Sequence, residues 1–122
     1  MNIEYVDMDG TDIAVVSGEQ AEIAAPQDAL DLAMTVRYEA GAERIAIDKR
    51  LLGEDFFILS TGVAGQILQK FVNYHVKAAV FGDYSRYTSK PLRDFLYESN
   101  NGKDIFFLPG KEEALERLAR AD

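Results

Sequence analysis

The chain has 122 residues, the size of one ordinary domain, and its 48% apolar and 28% charged residues describe a globular protein rather than a disordered one. Thirteen basic against 21 acidic residues leave a net charge of −8, which argues against nucleic acid and against an acidic membrane surface as partners, since both are held by clustered Lys and Arg. No cysteine is present, so disulfides, thiol catalysis and thiolate metal sites are excluded. No apolar run approaches the ~18 residues of a membrane span, and no charged start leads into an apolar stretch as in a secretory signal. The expected setting is therefore the cytoplasm.

In chain order, residues 3–6 and 12–17 predict two strands joined by a tight hairpin. The Asp9-Gly10 pair supplies the positive φ angles that such a turn needs. Gly18 to Ala25 reads as a loop. Pro26 opens a helix, where its missing N–H is harmless, and Asp28 and Asp31 suit the helix dipole. Leu30, Ala33 and Met34 are the expected buried face, and Gly41 the left-handed stop. Residues 44–48 form a short apolar strand. The run Phe56-Phe57-Ile58-Leu59 is too short for a helix and is taken as strand, placing Ser60-Thr61-Gly62 at a strand-to-helix junction.

A second helix runs to about Asn73, burying Val63, Ile67, Leu68, Phe71 and Val72. Residues 76–81 lack polar alternation, which suits a strand covered on both faces. A polar loop leads to a third helix, capped by Ser89 and carrying Pro91, with Leu92, Phe95 and Leu96 inward. Residues 105–108 are the last strand. Pro109-Gly110 turns into a helix over 111–120 that buries Ala114, Leu115 and Leu118. Strands alternating with helices imply an α/β fold: one domain over 1–122, a mixed sheet with an N-terminal hairpin, parallel crossovers and about four helices.

Two segments are candidates for function. Ser60, Thr61 and Gly62 open a helix, where unpaired N–H groups and the dipole favour a phosphate, bound or covalently attached. The same residues serve equally as a plain helix cap. Asp83, Tyr84, Ser85, Arg86, Tyr87, Thr88, Ser89 and Lys90 form the densest polar and aromatic stretch in the chain. They follow a central strand, at the carboxyl edge where open α/β sheets bind ligands, and Arg86 with Lys90 is expected to hold one anionic group. The plain alternative is a solvated loop with its tyrosines packed on the sheet edge.

Other patterns carry less. The Asp7-Met8-Asp9-Gly10-Thr11-Asp12 run lacks the glutamate that a calcium loop needs at its twelfth position, which is Gly18 here. His75 is the only histidine, so no zinc pair exists. Asp48, Glu54, Asp55 and Asp83 can meet at one edge, but spacing alone supports no acid–base pair. Gly62-x-x-Gly65 is too little for a nucleotide loop. No catalytic residue, metal or cofactor is expected. Six Tyr and seven Phe in a small chain raise the expectation of a homodimer.

The element order, Ser17-Gly18-Glu19, and the Ile58-Leu59-Ser60-Thr61-Gly62-Val63-Ala64-Gly65 segment resemble a STAS domain, the fold of bacterial anti-sigma factor antagonists. Those open the corresponding helix with Asp-Ser-Ser-Gly-Leu-Gly, whose first Ser is phosphorylated by a partner kinase. The resemblance places that role on Ser60, beside Thr61, with Leu59 where the family has Asp and one residue more between the glycines. It implies a non-enzymatic regulatory domain with a protein partner. The alternative is a binder of a small anionic ligand or nucleotide at the carboxyl edge. A closer resemblance is carried by Asp55-Phe56-Phe57, by residues 61–71, and by Gly82-Asp83-Tyr84-Ser85 through Ser89-Lys90-Pro91 to Ser99. In these the chain is similar to a bacterial family of small proteins, domain of unknown function 4180, which implies no established activity.

Overall fold

A computed structural model describes all residues, Met1–Asp122. Strands β1 (Asn2–Met8) and β2 (Thr11–Ser17) form an antiparallel hairpin, with Met8 opposite Thr11. Asp9 and Gly10 make its two-residue turn at φ 54° and 88°, the conformation expected of an Asp-Gly pair. Then follow α1 (Pro26–Ala40), β3 (Arg44–Asp48), α2 (Val63–Asn73), β4 (Lys77–Phe81), α3 (Lys90–Asn100), β5 (Ile105–Leu108) and α4 (Lys111–Arg120). The sheet runs β1-β2-β3-β4-β5, antiparallel at the hairpin and parallel from β2 onward. The fold is thus α/β, with a mixed five-stranded sheet, parallel crossovers and four helices.

Each parallel strand lies beside its predecessor, so crossovers of one hand deliver α1, α2 and α3 to the same face. That face holds the larger core, joining Val16, Ile45, Ile47 and Val80 to Val36, Ile67, Phe71 and Leu92 of the helices. The opposite face is covered by α4 alone, through Ala114, Leu115 and Leu118. Alternation along the strands supplies Ala46 and Ala79 there, and these small residues let the helix lie close. Arg44 ties the end of α4 to the sheet by donating to the carbonyls of Leu118 and Ala121. At the β5 edge, the Asn100 side chain donates to the Phe107 carbonyl (3.0 Å) and accepts from its N–H (2.6 Å). It thereby takes the bonds that a further strand would use.

The termini of α1 follow the sequence signals. Pro26 is its first residue, the Asp28 carboxylate accepts from the N–H groups of Ala24 and Ala25 (both 3.0 Å), and Gly41 closes it at φ 65°. Its buried face differs from expectation. Ala29, Leu32, Ala33 and Val36 point inward, whereas Leu30 is half-buried and Met34 exposed. Two apolar sets interleave on this helix, and the one that meets α2 and the sheet is chosen by packing. In α2, Ala64 joins the expected Ile67, Leu68 and Phe71, while Val72 is exposed. The expected faces of α3 and α4 are the observed ones, with Phe95 and Leu96 half-buried against the core. No phenylalanine is exposed, so much of the aromatic surplus lies inside.

The segment between β3 and α2 corrects a second expectation. Phe56 to Leu59 is not a strand. Lys49–Leu51, Glu54–Phe57 and Leu59–Thr61 are short 3₁₀ turns. Phe56 and Phe57 are adjacent yet both buried. A turn can bring successive side chains to one core, whereas a strand sends them to opposite faces.

Candidate functional site

The carboxyl ends of β3 and β4 lie side by side, with Asp48 opposite Phe81. This register places Lys49 and Arg50 against Gly82 and Asp83. Together with Arg86 they line an open depression of about 500 Å³. A second depression of about 280 Å³ adjoins it, sharing Lys49, Arg50 and Arg86 and reaching Glu19, Glu54 and Tyr87.

Asp48 is the one buried charged residue of the chain. Its carboxylate caps the following turn, accepting from the Arg50 N–H at 3.0 Å and from the Arg50 guanidinium at 2.9 Å. Burial pushes its pKa up. The Arg50 side chain and backbone, with a bond from the Gly18 backbone, outweigh that and hold it below the usual carboxylate range. Asp48 therefore stays ionised and closes the turn Lys49–Leu51 at the end of β3.

Lys49 is held by what surrounds its stem and head. A Cβ on Gly82 would fall 2.6 Å from the Lys49 Cβ and 2.9 Å from its Cδ, so only glycine lets the lysine stem cross the end of β4. The ammonium lies over three rings, 4.8 Å from the centroid of Tyr87, 5.0 Å from Phe57 and 5.9 Å from Tyr84. Those rings brace one another: Phe57 stacks on Tyr87 at 5.1 Å, and Tyr84 meets Phe107 edge-on at 5.9 Å. The Tyr84 hydroxyl donates to the Val80 carbonyl at 2.7 Å, and burial holds its pKa far above the ordinary tyrosine value. Lys49 Nζ makes no hydrogen bond and no ion pair.

The remaining residues of the 83–90 loop divide by role. Asp83 accepts from the Ser85 N–H at 2.9 Å, closing a local turn. Bonds from Ser85, then the nearby charges of Lys49 and Arg86, hold its pKa low. Arg86 reaches out of the loop to Glu54 at 2.8 Å, with its guanidinium carbon 5.3 Å from the Tyr87 ring centre. Ser89 is the N-cap of α3, accepting from Leu92 N–H, and Thr88 is exposed. Lys90 does not join Arg86. It is 85% exposed and pairs with Asp94 one turn along α3, so the cation that accompanies Arg86 is Lys49. Nothing in the sequence brings residue 49 to residue 86; the β3–β4 register does. The local signal available is the Asp48-Lys49-Arg50 run at the end of an apolar strand.

Ser60, Thr61 and Gly62 line neither depression. No hydrogen bond or ion pair joins them to residues 83–90. The Thr61 hydroxyl lies 2.8 Å from the Asp55 and Ile58 carbonyls, to which it donates, and accepts from the Val63 N–H at 3.2 Å. It closes the turn that starts α2. Gly62 takes φ 77° at the junction. Ser60 is exposed and its hydroxyl has no partner. Asp48 and Asp83 do line one depression, but no three His, Cys, Asp or Glu side chains gather as a metal site would require. His75 is exposed at the end of α2 with φ 60°, making the turn into β4. No helix is long and apolar enough to cross a membrane.

A family model described as "Domain of unknown function (DUF4180)" matches residues 8–118, and the chain belongs to that family. The match takes in the whole of the edge site and the Ser60–Gly62 turn. No curated protein and no solved structure matches the chain.

Proposed function

We propose that this protein is a binding domain rather than an enzyme, and that the depression at the ends of β3 and β4 takes a small anionic ligand. The observation that carries this reading is Lys49. Its stem is seated on Gly82 and its ammonium on three rings, yet it has no carboxylate partner and faces an open cleft. A cation held in place without an ion-pair partner loses little freedom when an anion arrives. The two carboxylates of the cleft are held ionised, away from the near-neutral pKa of a general acid or base, which favours binding over catalysis.

The test is a thermal-shift screen with a panel of anionic metabolites. A ligand at 100 times its Kd stabilises by about 2.7 kcal/mol. Lys49→Met and Arg86→Gln should each abolish the shift. A panel that moves the wild type no more than it moves Lys49→Met defeats the proposal.

A second reading is favoured by Ser60. A regulatory, STAS-like interaction domain would present an accessible phosphoacceptor at the start of α2. Ser60 is exposed and unbonded, with Ile58 half-exposed two residues away. Thr61, whose hydroxyl is engaged, is the poorer acceptor. A pull-down from a cytoplasmic extract of the source cells, read by mass spectrometry, checks this. A specific protein partner together with phosphate on Ser60 supports it; an unmodified bait with no enriched partner counts against it.

A further inference from the structure

We infer that Glu54 holds the place on Arg86 that the ligand's anionic group takes, and that the ligand is a compact phosphate monoester. This rests on the anion-binding reading above and names the ligand class and the contact that yields to it.

The argument begins with the charges at the two depressions. Arg50 is committed to buried Asp48 by a fork of contacts and by the cap of its own turn. Arg86 is bound differently. It meets Glu54 through one contact of 2.8 Å, with the two side chains 60% and 76% exposed. An exposed single-contact pair is weakly held and exchanges readily. Glu54 opens the turn Glu54–Phe57 with an exposed side chain, and its release requires no movement of the buried Phe57 ring beneath Lys49. Displacement of Glu54 frees one positive charge on Arg86 beside Lys49, which makes no ion pair. Lys49 and Arg86 then outnumber Asp83, the one carboxylate of that depression without an ion pair, and a compact phosphate group can meet both cations at once.

The rings decide against a nucleotide base. Lys49 lies over Phe57 and Tyr87, Phe57 and Tyr87 stack on each other, and Arg86 lies over Tyr87. The faces on which a base would stack are already in use. The larger depression has one apolar lining residue, Phe81, which suits a small polar molecule.

Calorimetric titration of inorganic phosphate, glycerol phosphate, acetate and adenosine into the wild type, Glu54→Gln, Arg86→Gln and Lys49→Met tests this. Circular dichroism melts establish that each variant is folded. Met keeps the length of the lysine stem on Gly82. Both phosphates should bind the wild type, and acetate and adenosine should not. Glu54→Gln should tighten phosphate binding about two- to fivefold, the range spanned by exposed ion pairs. Arg86→Gln and Lys49→Met should weaken it by about tenfold or more. Phosphate binding that is unchanged or weaker in Glu54→Gln overturns the displacement and leaves the anion site standing. Binding of acetate or adenosine as tight as that of phosphate overturns the phosphate assignment. No saturable binding by either the wild type or Glu54→Gln overturns both the inference and the reading beneath it.

Discussion

Two stretches of this chain each carry Ser and Thr beside a helix start, yet they are built differently. At 58–62 the hydroxyl of Thr61 is spent on nearby backbone, from the Asp55 carbonyl to the Val63 N–H, and its bonds draw on no distant part of the chain. At 83–90 the loop is built from outside. Tyr84 and Tyr87 pack into the core, Arg86 reaches Glu54, and Lys49 arrives from the neighbouring strand. Hydroxyls near a helix start tend to become structure, because unpaired N–H and carbonyl groups are at hand. At 83–90 the cations gather because separate strands end together.

The difference can be pressed hardest at Phe57. Its ring lies under Lys49 and against Tyr87, and Phe57→Ala should cost about 3 kcal/mol in urea unfolding, with ligand binding lost as the lysine loses its seat. If stability falls while Lys49-dependent binding persists, the rings do not position the cation.

Asp48→Asn comes next, at about 2 kcal/mol, since it weakens the charge-assisted bonds that close the 49–51 turn. The pH dependence has a definite sign. A carboxyl whose folded pKa is depressed stabilises the protein above its ordinary value of 3.8, and that contribution is lost as the pH falls through the lower folded value. Wild-type stability should therefore fall more steeply than that of Asp48→Asn below pH 3.8, by urea unfolding in acid. Parallel pH profiles would show that Asp48 is not the group responsible.

Gly82→Ala should cost about 1–2 kcal/mol, because the new methyl meets the base of the Lys49 stem rather than its mobile end. Binding should weaken with it; an unaffected Kd would mean that the stem can move aside.

The smallest effects lie in the other stretch and complete the contrast. Thr61→Val should cost about 1 kcal/mol, and Ser60→Ala less than about 0.5 kcal/mol, by the same unfolding measurement. Equal effects at the two positions would contradict the assignment of the turn to Thr61.

What the sequence by itself determined is the set of elements whose signals are local. Asp9-Gly10 specifies a two-residue turn because both positions need positive φ. Pro26 and Gly41 bound α1, and Ser89 with Pro91 opens α3, because cap and proline geometry are settled within a few residues. The alternation of strand and helix made the parallel crossovers legible. Tertiary structure alone decided which of two apolar sets on α1 turned inward, since both have helical spacing and only contact with α2 and the sheet distinguishes them. It also decided that Phe56 and Phe57 share one core through a turn, not a strand. The pairing of Lys49 with Arg86, rather than Lys90, was likewise beyond local reading. It depends on the register that sets Asp48 beside Phe81, on the missing Cβ of Gly82, and on rings contributed by two separate segments. Contacts between distant residues are set by how strands align and how the core closes, and neither is written in the few residues around any one of them.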